Sequence, residues 1–358
     1  MFTYEIWTTL DIENRRKRWE RLTAENTSTS PYHAFEWSEL LATVYGWKPC
    51  HVVAVNQKEV VGLLPAFLCS SILGQKKIQA LPFSHLTPPL VKNKTISPDL
   101  VSRLVEHARS CRAKSITLHT APESLGGDFY KIPNKHWSRF AGRQVSILSL
   151  EDYRKQGNKL FSSSAKRNFK KAQKSGVSVI EESSIEAFEE LYKMLLATRK
   201  RQGVPPYPHK LMKELAQSSN VRLFFAMQGT TPVAGVVLLT WGKKAIYLYG
   251  ASFSKAFPIR ANDYLFSSLI NSLAAEGYTE LDFGSTPDWH TDLLRFKNKW
   301  GCVSSPLEYS IWSERSRIQG SGKDLRSSPL GMVASYFIRK TPVRVLAWFG
   351  NHFFKFLV

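Results

Sequence analysis

One lysine in "DLLRFKNKWG", residues 292 to 301, falls where a helix on a soluble protein normally carries apolar side chains. Helical residues advance by about 100° each, which puts Leu293, Phe296 and Trp300 within a sector of ~60°, with Leu294 at its edge. Lys297 lies between Leu293 and Leu294, inside that stripe, whereas Arg295, Asn298 and Lys299 project to the other side. Two outcomes are open to it. The ammonium can snorkel to water along its methylene stem. Alternatively it ends in a cleft, where it stabilises an oxyanion or phosphate, or serves as an acid of lowered pKa.

Three other stretches carry groups that could do chemistry. "YRKQGNKLFSSSAKRNFKKAQKSG" has eight basic residues and no acid between Arg154 and Lys174. Ser162 to Ser164 supply capping hydroxyls, and Phe161, Ala165, Phe169 and Ala172 form a narrow apolar seam. A helix docked by that seam turns Lys166, Arg167, Lys170, Lys171 and Lys174 outward, either as a solvated face or as an anion-binding one. "YGASFSKAFPIRANDYLFSSL" reads as strand, loop and helix start, with Asn262 or Asp263 as the cap. That junction suits a phosphate, although it lacks paired glycines and Asp263 repels an anion. In "ELDFGSTPDWHTD", Asp282 alternates with Leu281 and Phe283 on a short strand, and Thr291 or Asp292 is the cap of the helix that follows. His290 in the same loop reads as a solvated histidine more readily than as a base or ligand. No G-x-x-x-x-G-K-[ST], G-x-G-x-x-G or H-E-x-x-H pattern occurs, and no metal-ligand set is expected.

The elements that must position these groups alternate between strand and helix periods. "TYEIWT" is a strand, followed by helices over "DIENRRKRWERLTAE" and "AFEWSELLATVYG", then strands at "HVVAVNQ" and "VVGLLPAFL". A helix at "DLVSRLVEHARSC" leads to the strand "SITLHT", and "QVSILSL" closes the half. After the charged turn "EDYRKQGNK" the series restarts with a basic helix, the strand "VSVIEE" and the long helix "SIEAFEELYKMLLATRKRQG". The shorter helix "HKLMKELAQS" and the strands "VRLFFAM", "VAGVVLLT" and "AIYLYGAS" follow. The helix "DYLFSSLINSLAAEG", the strand "ELDFG", the Lys297 helix and the strand "LEYSIW" complete it. "VVAVNQKEVVGLLPAF" matches "FFAMQGTTPVAGVVLL", and "SRLVEHARSCRAKSITLHT" matches "SSLINSLAAEGYTELDFGS". A duplicated α/β unit accounts for both matches. The expected division is 1–150, 151–315 and a linker with tail over 316–358.

With 358 residues, 43% of them hydrophobic, two domains with sizeable cores are affordable and a disordered polymer is excluded. A net charge of +20 favours anionic partners: nucleic acid, phosphorylated cofactors, polyanionic sugars or an acidic membrane face. Four scattered cysteines, never C-x-x-C, fit a reducing cytosol. No signal-peptide pattern or run of ~20 apolar residues is present, so a cytoplasmic protein is expected. The tail is different. "SRIQGSGKDLRSSPLG" has linker composition, and "MVASYFIRKTPVRVLAWFGNHFFKFLV" is apolar, aromatic and basic without one acid. An interfacial helix pair broken near Pro342, peripheral on an anionic inner-membrane surface, is one reading of residues 329–358. Packing on the protein's own core or on a partner is the other.

Taken together, "SAKRNFKKAQKSGVSV", "VRLFFAMQGTTPVAGVVLL", "AIYLYGAS", "NDYLFSSLINSLAAEGYTELDFG" and "LLRFKNKWG" resemble the Fem (FemAB-like) family of acyl- and aminoacyltransferases. Members join two GNAT-like domains in one chain. The likeness covers residues 160–312 well and reaches the first half through the duplication. It implies a mixed α/β fold of two tandem GNAT-like domains plus the basic amphipathic tail. It also implies transfer of an acyl or aminoacyl group to an amine of a cell-envelope, peptidoglycan or polysaccharide precursor, by direct attack without a covalent nucleophile. The family's F-K pair falls on Phe296 and Lys297, which gives Lys297 the role of offsetting negative charge on the tetrahedral intermediate or leaving group. Arg167, Lys166, Lys170, Tyr249, Arg260, Asp282 and Arg295 are the expected substrate-binding residues.

No tightly bound cofactor is implied; the donor is a co-substrate, acyl-CoA or aminoacyl-tRNA. Two departures bear on it. The Q/R-x-x-G-x-G/A loop with which GNAT enzymes hold coenzyme A is replaced by "IRANDYL", and the long heptad insertion of the bridge-building branch is missing. The first departure leaves a coenzyme A donor unsecured and the second takes support from a tRNA donor; an aminoacyl-tRNA-dependent peptidoglycan ligase is the alternative enzyme, with tRNA as partner. A non-catalytic basic nucleic-acid or membrane-binding protein on a degenerate GNAT scaffold is the alternative outside catalysis.

Overall fold

The computed structural model describes residues 2–10, 13–120, 136–314 and 329–357. The chain divides into two units, Met1–Arg143 with Pro306–Gly322 and Lys355–Val358, and Gln144–Ser305 with Lys323–Phe354. These limits differ from continuous segments breaking at 150 and 315. Two long strands, each a single uninterrupted element, contribute residues to both units, and a composition break cannot mark such a point.

The first unit holds β1 (Thr3–Trp7), α1 (Glu13–Glu25), α2 (Phe35–Tyr45), β2 (Lys48–Pro49), β3 (His51–Asn56), β4 (Glu59–Leu64), β5 (Phe67–Ser70) and β6 (Lys76–Gln79). It continues with β7 (Leu90–Val91), α3 (Ser97–Ser110), β8 (Ser115–Thr120) and the beginning of β9 (Trp137–Ser149). β1, β3, β4 and β7 form an antiparallel sheet in that order. β5 pairs antiparallel with β2 and β6, and β6 pairs parallel with β8.

The second unit contains α4 (Leu150–Gln156), α5 (Ser163–Lys174), β10 (Val177–Glu181), α6 (Ile185–Gln202), α7 (His209–Gln217), β11 (Val221–Gln228), β12 (Thr231–Trp241) and β13 (Lys244–Ser252). α8 (Ala261–Ala275), β14 (Glu280–Pro287), α9 (Thr291–Asn298), the start of β15 (Val303–Ser313), α10 (Pro329–Lys340) and α11 (Val343–Phe353) complete it. β10 to β13 are antiparallel neighbours in chain order, and β14 joins β13 in parallel. The charged stretch expected as a turn is the helix α4. The Ser149 hydroxyl accepts from Asp152 N, acids occupy its first turn and bases its last, which is the arrangement a helix dipole favours.

The duplication read from sequence is structural. β1–β3–β4 and β10–β11–β12 share antiparallel order, and the pairing slips by one residue after Ala54 in one hairpin and after Ala226 in the other. The glycine of each repeat is demanded by packing: a Cβ on Gly62 would lie 3.0 Å from Ile96 Cγ2, and one on Gly235 2.9 Å from Leu191 Cδ1 of α6. The copies diverge at the next strands. β7 has two residues and β8 pairs with β6, whereas β13 has nine residues and lies beside β14. Among the described residues, only the second copy therefore sets two long parallel strands side by side.

The tail is split at Pro342, as its composition suggested, and α11 docks on its own unit. Leu346 is buried, Gly350 abuts the carbonyls of Pro206 and Tyr207, and the Asn351 amide oxygen accepts from His209 N at 2.6 Å. Own-core packing thus holds for one face of the tail. The linker residues 315–328 lie outside the described residues. Among those described, no helix is long and apolar enough to cross a membrane.

Candidate active site

β13 and β14 pair only at Lys244–Glu280, Ala245–Leu281 and Ile246–Asp282. Both strands continue, to Ser252 and Pro287, without pairing to each other. The result is a fork in which backbone donors and acceptors of one strand edge have no ladder partner across it, a place where an extended polar ligand can add hydrogen bonds. A bulge shapes the near arm. Tyr247 is opposite Leu238 and Tyr249 opposite Val237, so Leu248 is the extra residue and the two tyrosines leave on opposite faces. Tyr247 packs on Phe266 and Phe283, with ring centroids 5.2 and 6.4 Å away. Tyr249 instead meets Tyr207 at 4.7 Å, and burial, reinforced by Tyr207, raises its phenol pKa well above the usual value.

Lys297 closes the far arm. Its side chain does not snorkel: the residue is 2% exposed and Nζ donates to Gly284 O at 2.6 Å. Gly284 has φ 79°, a conformation open to glycine at little cost, and its N–H donates to Asp282 Oδ1 at 2.7 Å. Asp282 is itself buried, so it braces the turn that presents the Gly284 carbonyl rather than meeting solvent. Lys297 and Asp282 both act on the Cys302 thiol. Burial raises that thiol's pKa strongly, Asp282 adds to the rise and Lys297 only partly opposes it, so Cys302 stays protonated and is a poor nucleophile at neutral pH.

Aromatic packing fixes α9. Trp300 is fully buried, Phe296 meets Phe266 edge-on at 5.2 Å, and Phe161 meets Trp300 edge-on at 5.0 Å. Phe296 is a half-buried part of this clamp. Lys299, expected to point outward, turns back over the rings of Phe296 and Trp300, at 4.3 and 5.1 Å, and its Nζ reaches Asp263 Oδ1 at 2.6 Å. The backbone of Lys299 is still helical (φ −62°, ψ −17°), so it is the long, flexible side chain that folds back to reach these partners. Asn168 Nδ2 donates to the same Asp263 oxygen at 3.2 Å. Asp263 therefore ties α5, α8 and the end of α9 together. Sequence reading missed this node, and an acid three residues into a helix was its only signal.

The capping expectations need correction. α8 starts from Arg260, held at φ 58°, with no side-chain cap; Asn262 instead donates to Ser252 Oγ at 3.4 Å. α9 starts from His290, also without a side-chain cap, and that ring stacks on Trp289. Pairing of Asp263 with Lys299 compensates the charge that was expected to repel an anion at the start of α8, where Arg260 is exposed.

On α5 the seam of Phe161, Ala165 and Ala172 is buried and Ser162 Oγ caps Ala165 N. Lys166, Arg167 and Lys170, with Lys171 and Lys174, line an open depression on the exposed face, and among the described residues none makes an ion pair. Arg295 points to solvent and pairs with Asp292 at 3.1 Å, which leaves it outside the fork. Lys297, its neighbour Phe296 and Asp282 are thus brought together around Gly284.

Residues 160–297 match the family model described as acetyltransferase (GNAT) domain. Among solved structures, FemX is similar over 86% of this chain and 96% of its own, with TM-score 0.65 and 14% identity. The C-terminal domain of a putative lysylphosphatidylglycerol synthetase from Agrobacterium fabrum is similar over 84% and 93%, with TM-score 0.57 and 14% identity. A tandem GNAT protein from the clavulanic acid biosynthesis pathway is similar over 87% and 98%, with TM-score 0.54 and 10% identity. At such identities the likeness is one of fold. No curated protein sequence matches significantly.

Proposed function

From a chain that carries an acetyltransferase (GNAT) domain within a Fem-like tandem GNAT fold, we propose an acyltransferase that transfers an acyl or aminoacyl group to an amine of a cell-envelope or polysaccharide precursor. The observation that carries the reading is the β13–β14 fork with the buried Lys297 ammonium on its far arm. The donor's extended arm lies between the diverging strands and its phosphates meet Arg260 and the first turn of α8. The acceptor nitrogen attacks the donor carbonyl; a C–N bond forms, the bond to the leaving thiolate or ribose oxygen breaks, and the amine proton ends on that leaving group. Lys297 supplies fixed positive charge where the carbonyl oxygen becomes negative. The protonated Cys302 thiol fits direct attack rather than an acyl-enzyme. An envelope acceptor is consistent with the likeness to FemX and to a lysylphosphatidylglycerol synthetase domain.

A second donor is favoured by α5. Five exposed bases, without ion pairs among the described residues, suit the phosphates of aminoacyl-tRNA. Discharge assays separate the two. Label carried by acyl-CoA or by aminoacyl-tRNA should pass to an amine-bearing precursor faster with the protein present, for one donor class only. No acceleration with either class sinks the catalytic reading and leaves a binding protein on this scaffold.

A further inference from the structure

We propose that α10 and α11 form a docking surface for an anionic lipid bilayer. Both helices are already seated on their own unit by one face. Leu346 and Gly350 of α11 are buried, and on α10 Ser335 lies against Gly203, where an added Cβ would come within 2.1 Å of its hydroxyl. The opposite faces are apolar as well. On α11, Val345, Trp348 and Phe349 fall within about 100° of one another and away from Leu346. On α10, Met332, Val333, Tyr336 and Phe337 form a second such strip. All seven are between 37% and 62% exposed. An amphipathic helix that only packed on its own core would turn polar residues outward; these turn out aromatic and branched ones.

Charge selects the occupant. Arg339, Lys340 and Arg344 border the strips, all exposed, and no acid occurs from Pro329 to Phe353. A second copy of this chain on the same face would set these bases against their own counterparts with no acid to pair them. Anionic headgroups have the complementary charge, and Trp and Tyr favour the boundary between headgroup and acyl chain. The helices have 12 and 11 residues, so they lie on a bilayer and do not cross it. This inference does not rest on the acyltransfer reading.

The test is co-flotation of the full chain with vesicles of phosphatidylglycerol and phosphatidylcholine, compared with phosphatidylcholine alone. Strong preference for the anionic vesicles is expected. Phe337→Glu with Trp348→Glu should lower partitioning at least tenfold, and neutralising Arg339, Lys340 and Arg344 to Gln should remove the anionic preference. The aromatic pair should not move the unfolding midpoint, since both residues sit on outer faces; Arg339 also lies against Gly203, so Lys340→Gln with Arg344→Gln is the set expected to weaken the preference at unchanged stability. Neutralising Lys166, Arg167 and Lys170 to Gln should leave partitioning unchanged. Binding that follows α5 instead of the tail overturns the proposal. So does failure to bind vesicles, including the case in which the chain forms a dimer that Trp348→Glu dissociates.

Discussion

Lys297→Met is expected to lower acyl transfer by about 10²–10³ while the chain stays folded. Methionine keeps most of the stem's length and apolar contact but removes the charge. The loss should fall on kcat and leave the donor KM close to wild type, because a charge that meets only the developing oxyanion binds the transition state and not the ground state. The stability effect follows from the buried bond to Gly284 O at 2.6 Å. Leaving that carbonyl without its ammonium costs about 1–3 kcal/mol, a fraction of the 5–15 kcal/mol typical of folded domains. Urea denaturation beside steady-state kinetics separates the two effects. Unchanged turnover, or activity lost only in proportion to unfolded protein, would remove Lys297 from the transfer step.

Lys299→Met should have the larger effect on stability, about 3 kcal/mol or more. The Lys299 and Asp263 side chains are 13% and 10% exposed and 2.6 Å apart. Removing the lysine strands a buried carboxylate beside the neutral Asn168 amide. Because Asp263 joins three helices, α5, α8 and the end of α9 should loosen together, and the start of α8 should bind anions less well. Adding Asp263→Leu to Lys299→Met should recover much of the loss, since the stranded charge and not the missing pair dominates the cost. A single variant within 0.5 kcal/mol of wild type, roughly the range of ordinary surface substitutions, would show that the node carries no such weight.

How far the site could be read from sequence depended on the element carrying each residue. Lys297 lies in the last turn of α9, where the helical period still holds, so periodicity alone turned it inward, and the hydrogen bond to Gly284 then excluded snorkelling. The basic face of α5 was legible for the same reason. Lys299 and Arg260 were not: the Lys299 side chain folds back from a helical backbone to reach Asp263, and Arg260 precedes α8 in left-handed backbone, which no period describes. The bulge at Leu248 leaves no mark in "AIYLYGAS", yet it decides that Tyr247 and Tyr249 face opposite ways. The fork itself is a tertiary fact. "AIYLYGAS" and "ELDFG" each announce a strand, but nothing local says that their pairing stops at Ile246 and Asp282. The repeat was legible because packing under Gly62 and Gly235 imposes the same small residue in both hairpins.

Hydrogen–deuterium exchange with and without donor tests the central claim, that the fork receives the acyl donor. Saturating acyl-CoA or aminoacyl-tRNA, whichever supports discharge, should slow exchange at amides of residues 247–252 and 283–286, beyond the point where β13 and β14 cease to pair with each other. The first turn of α8 should be protected with them. Protection confined to α5, or none in β13 and β14 with a donor that is turned over, would contradict the assignment and place the transfer elsewhere.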